Sequence, residues 1–204
     1  MTLSEALKKI KAIAQPVFRT ADVMAVLNIQ KSHASKLLSR LARQEHVLRL
    51  KRGLWAIPES LEPLAIVQHL TAPLPGYVSM QSALYYHDMI SQIPEVIYCV
   101  SLARTRTYET PFATYSVHHI PSSFFFGYEE KGENHVRIAS PEKALLDIFY
   151  LSPTKSRLFT ALPEVEFPPK FSISKAHNMI RKIEDLRRRT LVLNRFELLL
   201  DQTE

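Results

Sequence analysis

The sequence predicts an α+β protein built in two parts, and three observations carry that reading. Basic residues crowd into the first 58 positions, apolar residues recur at helical spacing in both parts, and β-branched runs interrupt the second. Residues 1–58 hold eleven Lys and Arg against Glu5, Asp22 and Glu45, a local charge of +8. Residues 59–204 carry fifteen basic and seventeen acidic side chains, or −2. Charge of one sign gathered in a small unit marks a polyanion as partner, and nucleic acid is the leading candidate.

Leu3, Ala6, Leu7, Ile10 and Ile13 or Ala14 share one face of a first helix, which Pro16 ends. Thr20 is placed to cap a second helix over 21–27, with Val23, Val26 and Leu27 inward. Asn28-Ile29-Gln30 then turns the chain into a third helix over about 31–44, with Ala34, Leu37, Leu38 and Leu41 as its buried stripe. Two helices joined by so short a turn fit a helix-turn-helix. The outward face of the third helix holds Lys31, Ser32, His33, Ser35, Lys36, Ser39, Arg40 and Arg43. Ser, His and Lys suit base edges, and Arg40 and Arg43 suit phosphates.

Two strand-like runs follow, 47–50 and 54–57, joined by Lys51-Arg52-Gly53, with Lys51 and Arg52 expected at the tip of the hairpin. Three helices and a basic hairpin define a winged helix-turn-helix DNA-binding domain over residues 1–58. The plainer alternative is that these cations only solvate an ordinary helical face, and winged helices also serve as protein-docking modules.

Residues 59–204 form the second domain. The spacing predicts a connecting helix over 59–71, a helix over 80–87 capped by Ser79, strands over 96–102, 114–120 and 135–139, and a basic loop over 104–107. Ser140-Pro141-Glu142 combines an N-cap, a proline at the first helical position and an acid in the first turn, opening a helix over 141–151 that buries Ala144, Leu145, Ile148 and Phe149. A small antiparallel sheet with packed helices is expected. Residues 163–169 read as a linker. Ser174 is expected to cap one long last helix running to about Leu200, with Met179, Ile180, Ile183 and Leu186 on its apolar stripe. The aromatic run Phe124 to Tyr128 either plugs the core or forms an exposed patch.

No spacing suggests catalysis. His118-His119 on a strand sends its rings to opposite faces, His87-Asp88 has no nucleophile or second carboxylate at a useful spacing, and Cys99 lies in an apolar run. The expectation is a protein that is not an enzyme and needs no cofactor or metal. No apolar run reaches the ~20 residues that span a bilayer, residues 1–15 read as an amphipathic helix without the apolar core and cleavage site of a secretory signal, and a single cysteine suits a reducing cytoplasm.

Three stretches carry a family likeness: Lys51-Arg52-Gly53-Leu54-Trp55-Ala56-Ile57-Pro58, Gly76-Tyr77-Val78-Ser79-Met80-Gln81-Ser82-Ala83-Leu84, and Arg137-Ile138-Ala139-Ser140-Pro141-Glu142-Lys143-Ala144-Leu145-Leu146-Asp147. Together they make the chain resemble the AbiEi antitoxins of type IV toxin-antitoxin systems, associated with abortive phage infection, over about residues 3–151. The resemblance implies an N-terminal winged helix that represses its own operon at inverted repeats, and a C-terminal domain that counters a nucleotidyltransferase toxin without a stable complex. The DNA role then falls on the outward face of residues 31–43 and on Lys51 and Arg52. Two other readings share the same head: a stand-alone winged-helix regulator whose second domain senses a ligand or protein, and an enzyme that the head targets to nucleic acid.

Overall fold

A computed structural model describes residues 2–13, 15–132, 134–152 and 164–203. The first helix, α1 (Leu3–Lys11), opens on a reciprocal cap: Thr2 Oγ1 accepts the Glu5 N–H at 3.2 Å and the Glu5 carboxylate accepts the Thr2 N–H at 2.8 Å. It ends before Ile13, and Ala14 lies outside the described residues. A short strand that the apolar spacing did not reveal, β1 (Val17–Arg19), comes next.

Helix α2 (Thr20–Leu27) includes Thr20 rather than using it as a cap, because the Thr20 hydroxyl accepts the buried Trp55 indole N–H at 3.0 Å. Asp22 caps instead, accepting the Arg19 N–H at 2.6 Å. Val26, expected inward, is 45% exposed. Asn28 takes a left-handed conformation (φ 49°) and the Ile29 N–H reaches back to the Met24 carbonyl at 3.2 Å, closing α2 and launching α3 (Lys31–Arg43).

The hairpin forms as β2 (Leu48–Lys51) and β3 (Leu54–Ala56), turning through Arg52-Gly53 with Gly53 at φ +77°. With β1 these strands make an antiparallel sheet in the order β1-β3-β2. One face, with Phe18 and Trp55, closes a core with Ala6, Ile10, Val23, Ala34, Leu38 and Leu41. Val17, Leu50, Leu54 and Ala56 belong to the core of the body. The three-stranded sheet is a layer shared by both cores.

The expected helix over 59–71 breaks into 3₁₀ turns at Pro58–Ser60 and Pro63–Ala65 before α4 (Ile66–Thr71), since a proline without an N–H cannot continue a helix through residue 63. Six strands follow: β4 (Gly76–Val78), β5 (Val96–Ser101), β6 (Arg106–Glu109), β7 (Thr114–His119), β8 (Tyr128–Lys131) and β9 (Val136–Ala139). Their order is β6-β7-β5-β4-β9-β8. The sheet is mixed rather than antiparallel, because β5 and β7, and β4 and β9, run parallel. The expected basic loop over 104–107 continues into β6, an edge strand whose backbone pairs with β7 from Arg106 to Glu109.

Helix α5 (Met80–Tyr86) packs on β5, and α6 (Pro141–Leu151) packs on α5 and β9, so the two tie the helical layer to the sheet. The start of α6 is as the sequence implies, with Ser140 as cap and Pro141 first. The expected single last helix is two, α7 (Ile173–Arg181), capped by Ser172 rather than Ser174, and α8 (Leu186–Thr203). Asp185 restarts the chain by accepting the Arg188 N–H at 2.7 Å. Ile183 is buried in the break, while Leu186 is 69% exposed and leaves the apolar stripe. Of the expected linker, Pro163 lies outside the described residues. Its neighbour Val165 is buried, and the Glu166 N–H donates to the Met89 carbonyl at 2.9 Å. No described helix is long and apolar enough to cross a membrane.

Candidate nucleic-acid interface

Helix α3 separates its two faces cleanly. Ala34, Leu37, Leu38 and Leu41 are buried, while Lys31, Ser32, His33, Ser35, Lys36, Ser39, Arg40 and Arg43 are all exposed. At ~100° per residue, Ser32, Lys36, Ser39 and Arg43 run along the middle of the open face. His33 and Arg40 flank them on one side, Lys31 and Ser35 on the other. At ~1.5 Å per residue that row spans about 16 Å. Among the described residues none of the four cations forms an ion pair, and α3 has no acid in its first turn. Arg40 and Arg43 also sit in the last turn, where a cation favours the carbonyl end of the helix.

The hairpin contributes differently from what its sequence suggests. Arg52 is exposed in the turn, but Lys51 does not stand at the tip. A bulge between Arg49 and Lys51 re-aims it, and its ammonium donates to the Leu70 carbonyl at 2.7 Å and lies 5.6 Å from the Tyr108 ring centre. Burial, then the nearby charges of Arg19 and Arg106, hold the Lys51 pKa below its ordinary value. Arg49, absent from the sequence-based set, is exposed, with its guanidinium 5.9 Å from the Trp55 ring centre. Its signal was its place opposite Trp55 in the hairpin register.

Other singled-out residues are packed or bonded. His118 is buried with Nε2 2.9 Å from Ser116 Oγ, and burial lowers its pKa; His119 on the next position is exposed. His87 Nε2 donates to the Ala139 carbonyl at 2.7 Å. Burial pushes the Cys99 thiol well up, so it is unreactive at neutral pH. Phe124 is buried, stacked at 4.6 Å on Tyr150, whereas Phe125 and Phe126 remain partly exposed. Among the described residues no three His, Cys, Asp or Glu side chains converge as metal ligands.

A polar cluster that sequence reasoning missed lies inside the body. Lys143 and Asp147, one turn apart on α6, are fully buried and ion-paired. Asp147 also accepts the Tyr77 hydroxyl at 3.1 Å and the Ser79 hydroxyl at 2.6 Å. The Lys143 ammonium lies 3.6 Å above the Phe124 ring centre. Burial pushes the lysine pKa down and the aspartate pKa up, each opposed by the other's charge. The signal was present as a Lys and an Asp four residues apart in a helix whose residues from Ala144 onward are otherwise mostly apolar. All four residues fall in the stretches quoted for the family likeness. No protein-family model matches the chain, and no curated protein matches it.

Proposed function

We propose that the chain binds double-stranded DNA sequence-specifically through residues 1–58 acting as a winged helix-turn-helix. Helix α3 enters the major groove, and Arg52 and Arg49 follow the adjacent phosphates. One observation carries the reading: α3 presents an exposed face of hydroxyls and cations without internal counter-ions, on a helix whose other face is fully packed. A solvated helix gains little from excluding carboxylates so completely, whereas a polyanion partner accounts for it.

The resemblance extends the reading to an autorepressor and antitoxin whose body counters a nucleotidyltransferase toxin, encoded by an adjacent gene. The experiment is fluorescence anisotropy of the full chain against the duplex directly upstream of its own coding sequence, across a salt series. Lys36→Ala and Arg40→Ala each weaken binding and flatten the salt slope by about 1 per lost phosphate contact, or, where a base edge is lost, cost about 1–3 kcal/mol of discrimination. Affinity indifferent to salt and to both substitutions refutes DNA binding. Co-expression with the neighbouring gene product tests the second half: growth rescue that persists in the Lys36 and Arg40 variants places antitoxicity in the body, and absence of rescue in wild type refutes it.

A further inference from the structure

Beside the wing, the fold gathers cations from three distant parts of the sequence. Arg19 at the end of β1 and Lys51 at the end of β2 both stand opposite Leu54 of β3. The Thr20 N–H donates to the Gly53 carbonyl at 3.0 Å, tying the start of α2 to the wing turn. From the body, β6 brings Arg106 to the same place. The Tyr108 ring centre lies 5.6 Å from the Lys51 ammonium and 5.0 Å from the Arg106 guanidinium.

Arg19, Arg52 and Arg106 are exposed, and among the described residues none of these cations forms an ion pair. Burial first, and then the nearby positive charges of Arg19 and Arg106, disfavour the charged form of Lys51. Like charges held together without a counter-ion raise the free energy of the unbound protein, and an arriving anion relieves that repulsion. The Tyr108 ring steadies two of the cations but supplies no net negative charge.

We infer that the edge strand β6 carries a second phosphate-contact strip, centred on Arg106 and continuous with the wing, so that the DNA footprint extends from the head onto the body. This rests on the DNA-binding reading above and adds the body as a direct contributor to affinity. The strip contacts backbone phosphates, so it strengthens binding without reading sequence.

The test uses the full chain with two duplexes from the upstream region, one trimmed to the segment that α3 covers and one about a helical turn (~10 bp) longer on each side. Arg106→Gln is expected to weaken binding to the longer duplex several-fold and to reduce its salt slope by about 0.9, with scrambled sequence affected equally. Arg106→Lys restores both values, and the trimmed duplex binds wild type and Arg106→Gln alike. Unchanged affinity and slope in Arg106→Gln, while Lys36→Ala still weakens binding, overturns the strip and leaves the head reading intact. A loss that Arg106→Lys fails to rescue, accompanied by a lower melting temperature, also overturns it, because Arg106 is then only a packing partner of Tyr108. Indifference to Lys36→Ala and Arg40→Ala defeats the DNA reading itself.

Discussion

Breaking the buried pair between Lys143 and Asp147 one partner at a time tests how the body is held together. Asp147→Asn removes the anion and leaves an ammonium whose side chain is 0% exposed, facing the Phe124 ring at 3.6 Å. An uncompensated buried charge of this kind costs about 3–5 kcal/mol. Lys143→Met costs less, about 2–3 kcal/mol, because Asp147 keeps two hydroxyl donors and burial already favours its protonated form. In the double variant Lys143→Met with Asp147→Asn, no charge remains, the new amide oxygen still accepts from one of the Tyr77 and Ser79 hydroxyls, and the loss is that of the other left unpaired, about 2 kcal/mol. The singles together exceed the double by about 3 kcal/mol or more, which is the coupling a double-mutant cycle measures. At ~2–4 °C per kcal/mol for a chain of this size, Asp147→Asn lowers Tm by roughly 6–20 °C. Urea denaturation followed by circular dichroism reads each value. An Asp147→Asn variant within ~1 kcal/mol of wild type, or singles that add to give the double, refutes the reasoning.

Three further outcomes follow from local geometry. The Glu142 carboxyl is pushed up by burial, but Lys175 at 2.9 Å, the Ser140 hydroxyl at 2.8 Å and the Ser172 N–H at 3.1 Å hold its folded pKa below the ordinary value. Its contribution is therefore present above the unfolded pKa and lost as pH falls through the folded one. Glu142→Gln should cost about 1.5–3 kcal/mol near neutrality and little in acid, and a gap that persists at about pH 3 contradicts this. Gly53 and Gly127 both sit at φ +77°, yet a Cβ on Gly53 meets open space while one on Gly127 lies 3.1 Å from Met179 Cε and 3.2 Å from Lys143 Cβ. Gly53→Ala should thus cost about 1 kcal/mol and Gly127→Ala at least ~1 kcal/mol more, with equal Tm losses as the disproof. Leu54→Ala should cost about 2–5 kcal/mol and shift the fluorescence of Trp55, the single tryptophan, together with the far-ultraviolet signal of the whole chain. An earlier, separate Trp55 transition would show that the shared sheet does not couple the two cores.

Legibility in the sequence followed the range of the interactions. The stripe of α3 and the Ser140-Pro141-Glu142 start of α6 were readable because helical period and caps are local in sequence. Strands β1, β4 and β8 escaped because three or four residues carry too little alternation to stand out, and their pairing is decided by distant partners. The same limit hid the parallel pairs of the sheet. At the candidate interface, the charges on α3 were legible since burial of Ala34, Leu37, Leu38 and Leu41 leaves the rest outward. Lys51 was not, because its direction depends on a bulge and on acceptors in α4 and β6. The break between α7 and α8 was hidden by apolar residues at compatible spacing. Only the Asp185 cap distinguishes a restart from continuation.

Charge and packing divide this chain at different places, and that difference bears on how the head can work. The charge changes sign near residue 58, yet Val17, Leu50, Leu54 and Ala56 from the basic part are buried in the core of the body. Burying a Val or Leu side chain contributes about 1.5–3 kcal/mol, so three of these residues alone supply roughly 5–9 kcal/mol. That is comparable with the whole stability of a typical domain, and it adds to the core that Phe18, Val47, Trp55 and Ile57 form with the three helices on the other side of the sheet. Strands β2 and β3 of the hairpin are therefore set by the body as well as by α1, α2 and α3. A change in the body's packing beneath Leu54 would reach Arg52 and Lys51 through the same hairpin. In that arrangement the body and the three N-terminal helices are joined through one packed layer, and the placing of the hairpin is a property of the whole chain.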